Sequence, residues 1–346
     1  MLQIRLAGQN DYQRWNNYVR RNSEASPYHL AAWSLANANA YKHKQFNLIA
    51  EQQGQIVGVL PLCLLALPLS KGFLCSVPFC DVGGCLSENE EVRHKLMEAA
   101  LEIAGRYKVS ALQIRNRSPA RSEIDPKYTG KVSMLLSLPE SSDILLASFK
   151  SKLRSQISKA QKNGLTFRIG GKTKELNQFY QVLTVNMRNL GSPVHSIKWF
   201  DSIRKQYADD MVIGIVSKDD IPVGAGMMLI VEDKAAIPWA STLSEYNRLA
   251  PNMLLYWNFL KYATDKHCTV LDFGRSSYGG GTFKFKKQWG ANPVPLDWKS
   301  YLVDGKATEH GAPLRTLRKI FEKVWRRLPL PLANTLGPHI RKYISL

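Results

Sequence analysis

Between Leu271 and Gly290 the chain reads LDFGRSSYGGGTFKFKKQWG, a run of glycines and cations suited to holding an anion. A short apolar strand ends at Asp272-Phe273, Gly274-Arg275-Ser276-Ser277 leads away from it, and Gly279-Gly280-Gly281 removes side chains from the next turn. Glycines let a backbone approach a ligand closely and offer its N–H groups to phosphate or carbonyl oxygens. In Phe283-Lys284-Phe285-Lys286-Lys287-Gln288-Trp289 the alternation predicts Phe283 and Phe285 on one side, Lys284 and Lys286 on the other. The same residues also read as a flexible loop ahead of a surface hairpin. A second cationic element is the segment Ile144–Gly164, read as one helix ended by Gly164. Leu145, Phe149, Leu153, Ile157 and Ala160 form its apolar stripe; Lys150, Lys152, Arg154, Lys159 and Lys162 form the other face, without balancing acids there. That face is either a phosphate contact or a solvated surface.

The elements that must position these residues follow from hydrophobic periodicity. In the first part, helices are predicted at Asp11–Arg21, Tyr28–Ala40 and Glu91–Tyr107, with Leu96, Ala100, Ile103 and Ala104 of the third facing inward. Strands are predicted at Phe46–Glu51, Gln55–Leu65, Leu74–Phe79, Ala111–Arg115 and Val132–Leu138, with a loop at Pro119–Pro126. The second part repeats the order: strand Thr166–Ile169, helices Lys174–Leu190 and Val194–Tyr207, hairpin Met211–Ser217 with Val223–Val231, strand Ala235–Ala240, helix Asn252–His267, strand Val270–Phe273. Helices and hairpins recurring in one order predict an α/β fold of two units with mixed sheets, an internal repeat of architecture with little residue identity. The tail Pro313–Leu346 contains a basic amphipathic helix with Leu314, Leu317, Ile320, Phe321, Val324 and Leu328 on one face. It either packs on a domain or lies on an anionic membrane.

With 346 residues the chain is long enough for two domains. A hydrophobic share of 45% and a charged share of 22% exclude a disordered polypeptide. The net charge of +19 favours polyanionic partners: nucleic acid, acidic glycans, phosphorylated substrates or anionic lipid. The most apolar window, Ile56–Leu69, is too short to span a bilayer and contains Pro61 and Pro68. Cys63, Cys75, Cys80, Cys85 and Cys268 read as small buried hydrophobes in a reducing compartment, and no CxxC pair or His spacing accompanies them, so no metal is expected. With no apolar leader at the first residues, the expected location is the cytoplasm.

DFGRSSYGGGTFKFKKQWGANPVPL resembles the signature of the FemAB-like branch of the GNAT acetyltransferase superfamily. In that branch an Asp-Phe-x-x-Ser strand end precedes a glycine turn and a Phe-Lys-x-x-aromatic-Gly element. GVLPL at 58–62, SVPFCDVGG at 76–84, LRSQISKA at 153–160, RNLGSPVH at 188–195 and APNMLLYW at 250–257 resemble its other segments in order and spacing. Together they cover nearly the whole chain, and they are most similar to FemAB-related proteins of exopolysaccharide and exosortase (PEP-CTERM) systems. The resemblance implies two tandem GNAT-like domains, 1–140 and 141–305, and a tail 306–346. It also implies transfer of an acyl or aminoacyl group to an amine or hydroxyl of a lipid- or nucleotide-linked envelope precursor, peptidoglycan peptide or exopolysaccharide. The donor it implies is aminoacyl-tRNA or acyl-CoA, with no tightly bound cofactor, at the inner face of the membrane. The paired helical arm that some members insert is absent between Gly164 and Val270, which weakens the case for tRNA.

Such a transfer needs an amine deprotonated and an oxyanion stabilised. Candidate acid–base residues are Asp272, Asp81 and His195, each with a structural alternative: a turn cap, an Asx-turn and a satisfied core histidine. The family also permits a route without a protein base. Lys286 is the leading electrostatic candidate, with Arg275, Ser276, Gly279, Gly280, Gly281, Lys284 and Lys287 around the anion. Arg154, Arg188, Asn252, Trp239, Tyr256 and Trp289 are the further binding candidates, the aromatic ones reading equally as core. A non-catalytic polyanion-binding protein is the alternative of another class.

Overall fold

The computed structural model describes residues 1–66, 70–118, 124, 128, 130–302, 307–308 and 315–345, without the side chains of 307–308 and 315–318. Pro68, nearly all of the loop expected over Pro119–Pro126, Leu314 and the side chains of Arg315, Leu317 and Arg318 therefore lie outside the described residues. Two compact units divide the chain. The first is Met1–Ile124 with Pro295–Ala312 and Lys342–Leu346, and the second is Asp125–Val294 with Pro313–Arg341. Both are discontinuous, unlike the contiguous segments expected from the sequence.

The first unit runs β1 (Leu2–Leu6), α1 (Tyr12–Arg21), α2 (Ala31–Tyr41), β2 (Leu48–Gln52), β3 (Gln55–Leu60), β4 (Cys63–Leu65), β5 (Phe73–Cys75), β6 (Leu86–Ser87), α3 (Glu90–Arg106) and β7 (Leu112–Arg117). One antiparallel sheet has the order β1-β2-β3-β6. The strand expected over Gln55–Leu65 is two strands in two ladders, because Pro61 has no N–H to continue the first. The second ladder is β4-β5-β7, continued by a late strand, β14 (Asn292–Tyr301). Leu60, Leu74, Leu96, Ala100, Ala104 and Leu112 meet in its core. The last described residues return to this unit: Phe79 N–H donates to the Ser345 carbonyl at 2.7 Å.

The second unit runs β8 (Lys131–Ser137), α4 (Ser142–Ser148), α5 (Ser151–Lys162), β9 (Leu165–Gly170), α6 (Thr173–Leu190), α7 (Ile197–Tyr207), β10 (Met211–Lys218), β11 (Ile221–Val231), β12 (Lys234–Thr242), α8 (Pro251–Asp265), β13 (Val270–Ser277) and α9 (Gly281–Lys287). Helices α10 (Arg315–Trp325) and α11 (Leu330–Arg341) complete it. Its strand order is β8-β13-β12-β11-β10-β9, antiparallel except for β12 beside β13. Phe259 of α8 packs so closely on this sheet that a Cβ at Gly226 would lie 2.6 Å from its ring. The repeat in element order is present: strand, two helices, antiparallel strands, long helix, strand.

Two local expectations are corrected. The single helix over Ile144–Gly164 is broken at Phe149 and Lys150, both extended (ψ near 146°). Phe149 turns its ring edgewise onto Trp289 at 5.5 Å and Trp257 at 6.0 Å, burial that a straight helix would not give it. Phe283–Trp289 is not extended: α9 covers its first five residues, so Phe283 meets Tyr278 and Phe285 meets Tyr256 at 4.9 and 5.1 Å.

Candidate functional site

The site is built on the one parallel strand pair among the described residues of the second unit. β12 and β13 share only three registers, Lys234–Ala236 against Val270–Asp272. β12 then stays on β11 as far as Thr242, while β13 stays on β8 as far as Ser277. Beyond Ala236 and Asp272 the ladder between the two strands ends and each stays with its other neighbour, so the strands part around a slot. An extended amide chain can enter such a slot as an added strand does. From β12 the chain passes through a short turn of 3₁₀ helix, Ser244–Leu249, into α8, which opens with Pro251 and whose Met253 N–H donates back to the Ala250 carbonyl at 3.0 Å. Asn252 is the second residue of α8, and Arg248 stands just before it.

At the point of divergence β13 carries an irregularity: its register on β8 shifts between Asp272 and Arg275, and Gly274 has φ +75°. That left-handed conformation needs glycine. Two buried charged side chains clamp this turn. Asp272 is 5% exposed and accepts from Gly274 N–H at 2.7 Å and from Ser133 Oγ at 3.0 and 3.1 Å. Lys286, 7% exposed, donates Nζ to the carbonyls of Gly274 at 2.9 Å and Arg275 at 3.0 Å. The glycine turn and α9 exist to bring that ammonium back under the strand. Arg275 is half-buried and Ser276 buried on the same strand. Gly279 and Gly281 have open space where a Cβ would be, and Lys284 and Lys287 are exposed.

Aromatic residues wall the clamp. Tyr256 stacks on Phe273 at 5.6 Å and lies 6.4 Å from the buried Trp289. Burial pushes the Tyr256 phenol up to about 12, so it is a neutral donor near pH 7. Its hydroxyl has no hydrogen bond among the described residues. Beside α9 lies a cavity of about 620 Å³, with Leu136, Leu138, Phe149, Leu153 and Trp289 on its walls and Lys150, Lys152 and Lys287 among its polar lining. Apolar walls with three ammonium groups and no lining carboxylate suit an amphipathic anion.

Residues 147–287, which span the clamp, match a family model described as an acetyltransferase (GNAT) domain. The chain is similar to a crystal structure of FemX, at 15% identity and TM-score 0.67, over 92% of this chain and 100% of that one. It is similar to a tandem GNAT protein from the clavulanic acid biosynthesis pathway, at 11% identity and TM-score 0.56, over 88% and 99%. It is also similar to the C-terminal domain of a putative lysylphosphatidylglycerol synthetase from Agrobacterium fabrum, at 12% identity and TM-score 0.52, over 83% and 90%. Among curated proteins no sequence matches the chain. The fold is tandem GNAT-like. It is mixed α/β, and its second unit contains the segment that matches the GNAT-domain model.

The structure gathers Asp272, Arg275, Ser276, Lys286, Trp289 and Tyr256 around one turn, and it places other candidates elsewhere. His195 is 3% exposed among the rings of Trp199, Phe200 and Trp239 at 5.9–6.3 Å. Burial first, and then Arg341, hold its pKa well below the ordinary value, which keeps it neutral. Trp239 also meets Phe200 at 5.0 Å. Arg188 is half-buried in the last turn of α6, with a buried Nε that has no hydrogen bond among the described residues. Arg154 is exposed and donates to the carbonyls of Ala147 and Phe149, satisfying the end of α4. Asp81 belongs to the first unit, where its carbonyl accepts from Trp298 Nε1 at 2.9 Å. Near it Arg115 is wholly buried, donates to the carbonyls of Val77 and Cys80, and lies 4.8 Å over the Trp298 ring. Ser133 and Phe149 are site residues that sequence reasoning did not single out. Ser133 gave no signal, whereas Phe149 stood in the apolar stripe of a helix that is broken at that residue. Among the described residues, no group of three or more His, Cys, Asp or Glu is placed to hold a metal.

Proposed function

We propose that the protein transfers an acyl or aminoacyl group to an amine or hydroxyl of a cell-envelope precursor, a lipid- or nucleotide-linked peptidoglycan peptide or exopolysaccharide unit. The observation that carries this reading is the slot between β12 and β13, with its turn gripped by Asp272 and Lys286 inside the segment matched by the acetyltransferase model. In the proposed reaction the acceptor nitrogen or oxygen bonds to the donor carbonyl carbon, and the C–S or C–O bond to the carrier breaks. The acceptor's proton leaves to solvent, and the departing carrier takes one back. Lys286 and Asp272 fix the peptide groups on either side of Gly274, so that the slot edge meets the donor carbonyl without reorganising. In this reading the neutral hydroxyl of Tyr256, whose ring stacks on Phe273 of β13, supplies a proton to the leaving group.

Both acyl-CoA and aminoacyl-tRNA are proposed as donors that bind and leave, with no resident cofactor. The parting of two parallel strands suits the extended amide arm of acyl-CoA, and this favours acyl-CoA as the donor. The structure of a relative named for lysylphosphatidylglycerol synthesis keeps an aminoacyl donor in view. The lysine-lined cavity would hold the anionic, partly apolar end of a carrier-linked substrate. The test is to incubate the purified chain with labelled acetyl-CoA, or with charged tRNA, and with nucleotide-linked muropeptides or oligosaccharides. Transfer lost in Lys286→Met supports the reading. A chain that binds polyanions yet consumes neither donor is a binding module instead.

A further inference from the structure

Both C-terminal helices turn their small or amphipathic residues inward and their large aliphatic ones outward. In α10, Glu322 rests on Gly191, where a Cβ would lie 2.6 Å from the Glu322 carbonyl oxygen, and Trp325 is 4% exposed. At about 100° per residue those two share one side of the helix, and Ile320 and Val324 lie roughly opposite. Ile320 and Val324 are 55% and 57% exposed, and Phe321 beside them 38%. In α11, Ala333 and Gly337 dock, Gly337 against Val194, while Leu332 and Leu336 are 45% and 42% exposed. Leu190, whose carbonyl accepts from Arg326, adds a further aliphatic at 55%. Around α10 stand the exposed Lys319, Lys323, Arg326 and Arg327, and Glu322 is the sole acid from 315 to 341.

We propose that this face of the second unit seats on an anionic lipid bilayer. Large aliphatic side chains and one phenylalanine suit the boundary between headgroups and acyl chains, and the flanking cations suit the phosphates. A nucleic acid would engage the cations and leave the apolar side chains in water, so charge and apolarity together point to lipid. Among the described residues no helix is long and apolar enough to cross a membrane, so the contact is peripheral. The inference deepens the envelope reading by placing the chain beside lipid-linked acceptors, and it is measured without any transfer assay, so either can fail alone.

The experiment is co-sedimentation of the full chain with vesicles of phosphatidylethanolamine and phosphatidylglycerol, and with phosphatidylcholine vesicles. Binding to the first and little to the second is expected. Ile320→Ser with Val324→Ser should weaken it about tenfold or more, and Lys323→Gln with Arg327→Gln by a similar factor that shrinks in salt. Because all four side chains are exposed, circular dichroism should find the variants folded like the wild type. Three results would each overturn the proposal: no binding to anionic vesicles; binding that ignores the serine substitutions, which is charge adhesion alone; or a wild-type dimer in sedimentation that the serine variant abolishes while vesicles stay unbound, which makes a second copy the occupant.

Discussion

Replacing Lys286 by Met keeps the length of the side chain and removes the ammonium that grips the Gly274 turn. Two hydrogen bonds, at 2.9 and 3.0 Å, disappear. Each charge-assisted bond contributes about 1.5–3 kcal/mol. Gly274 and Arg275 are half-buried, so water recovers part of this, and the buried ammonium's own desolvation cost is also removed. The net loss is about 2–3 kcal/mol, which lowers the melting temperature of a unit this size by about 5–10 °C in calorimetry. Asp272→Asn acts on the same residue from its N–H side. A double-mutant cycle should therefore show coupling of about 1 kcal/mol between the two positions. If Lys286→Met melts within about a degree of the wild type and the cycle shows no coupling, the clamp is not what holds the turn.

Further outcomes follow from other residues. Tyr256→Phe should lower kcat by about 100-fold or more with little change in KM, checked by steady-state transfer rates. Because His195 is held below its ordinary pKa, the unfolded chain binds more protons than the folded one under mildly acidic conditions. Its stabilising contribution is present above about pH 6.5 and falls by up to about 1.4 kcal/mol per unit below that, so urea midpoints of His195→Asn should change less between about pH 7.5 and 5.5 than those of the wild type. Gly191→Ala meets both a φ of +78° and Glu322 at 2.6 Å. It should loosen α10, seen as faster proteolysis near residue 320. Lys150→Gln, Lys152→Gln and Lys287→Gln together should weaken binding of an anionic donor or acceptor several-fold, with a shallower salt dependence in calorimetric titration.

Much of the fold was legible because burial imposes periodicity. Leu96, Ala100 and Ala104 announced α3, and the apolar runs Met211–Ser217 and Val223–Val231 announced the hairpin of β10 and β11. What escaped depends on partners distant in sequence. The break at Phe149 is dictated by Trp257 and Trp289, and the divergence of β12 from β13 has no local signature. Asp272 and Lys286 were both readable as candidates, since a strand end and a basic run flank the glycines. Their shared grip on one residue was not, because alternation suggested extended chain where α9 forms. In the tail the amphipathic stripe was plain, but the side facing the protein was not. Gly191 and Val194, which decide it, sit well over a hundred residues earlier.

The central claim is acyl or aminoacyl transfer at the slot beside the Gly274 turn. Its most direct measurement is mass spectrometry of nucleotide-linked muropeptide and oligosaccharide acceptors after incubation with the purified chain and either acetyl-CoA or aminoacyl-tRNA. The account predicts an acceptor gaining the mass of one acyl or aminoacyl group, at a rate that collapses in Lys286→Met. Equal product with and without Lys286, or no binding and no consumption of either donor across the acceptors, would contradict it.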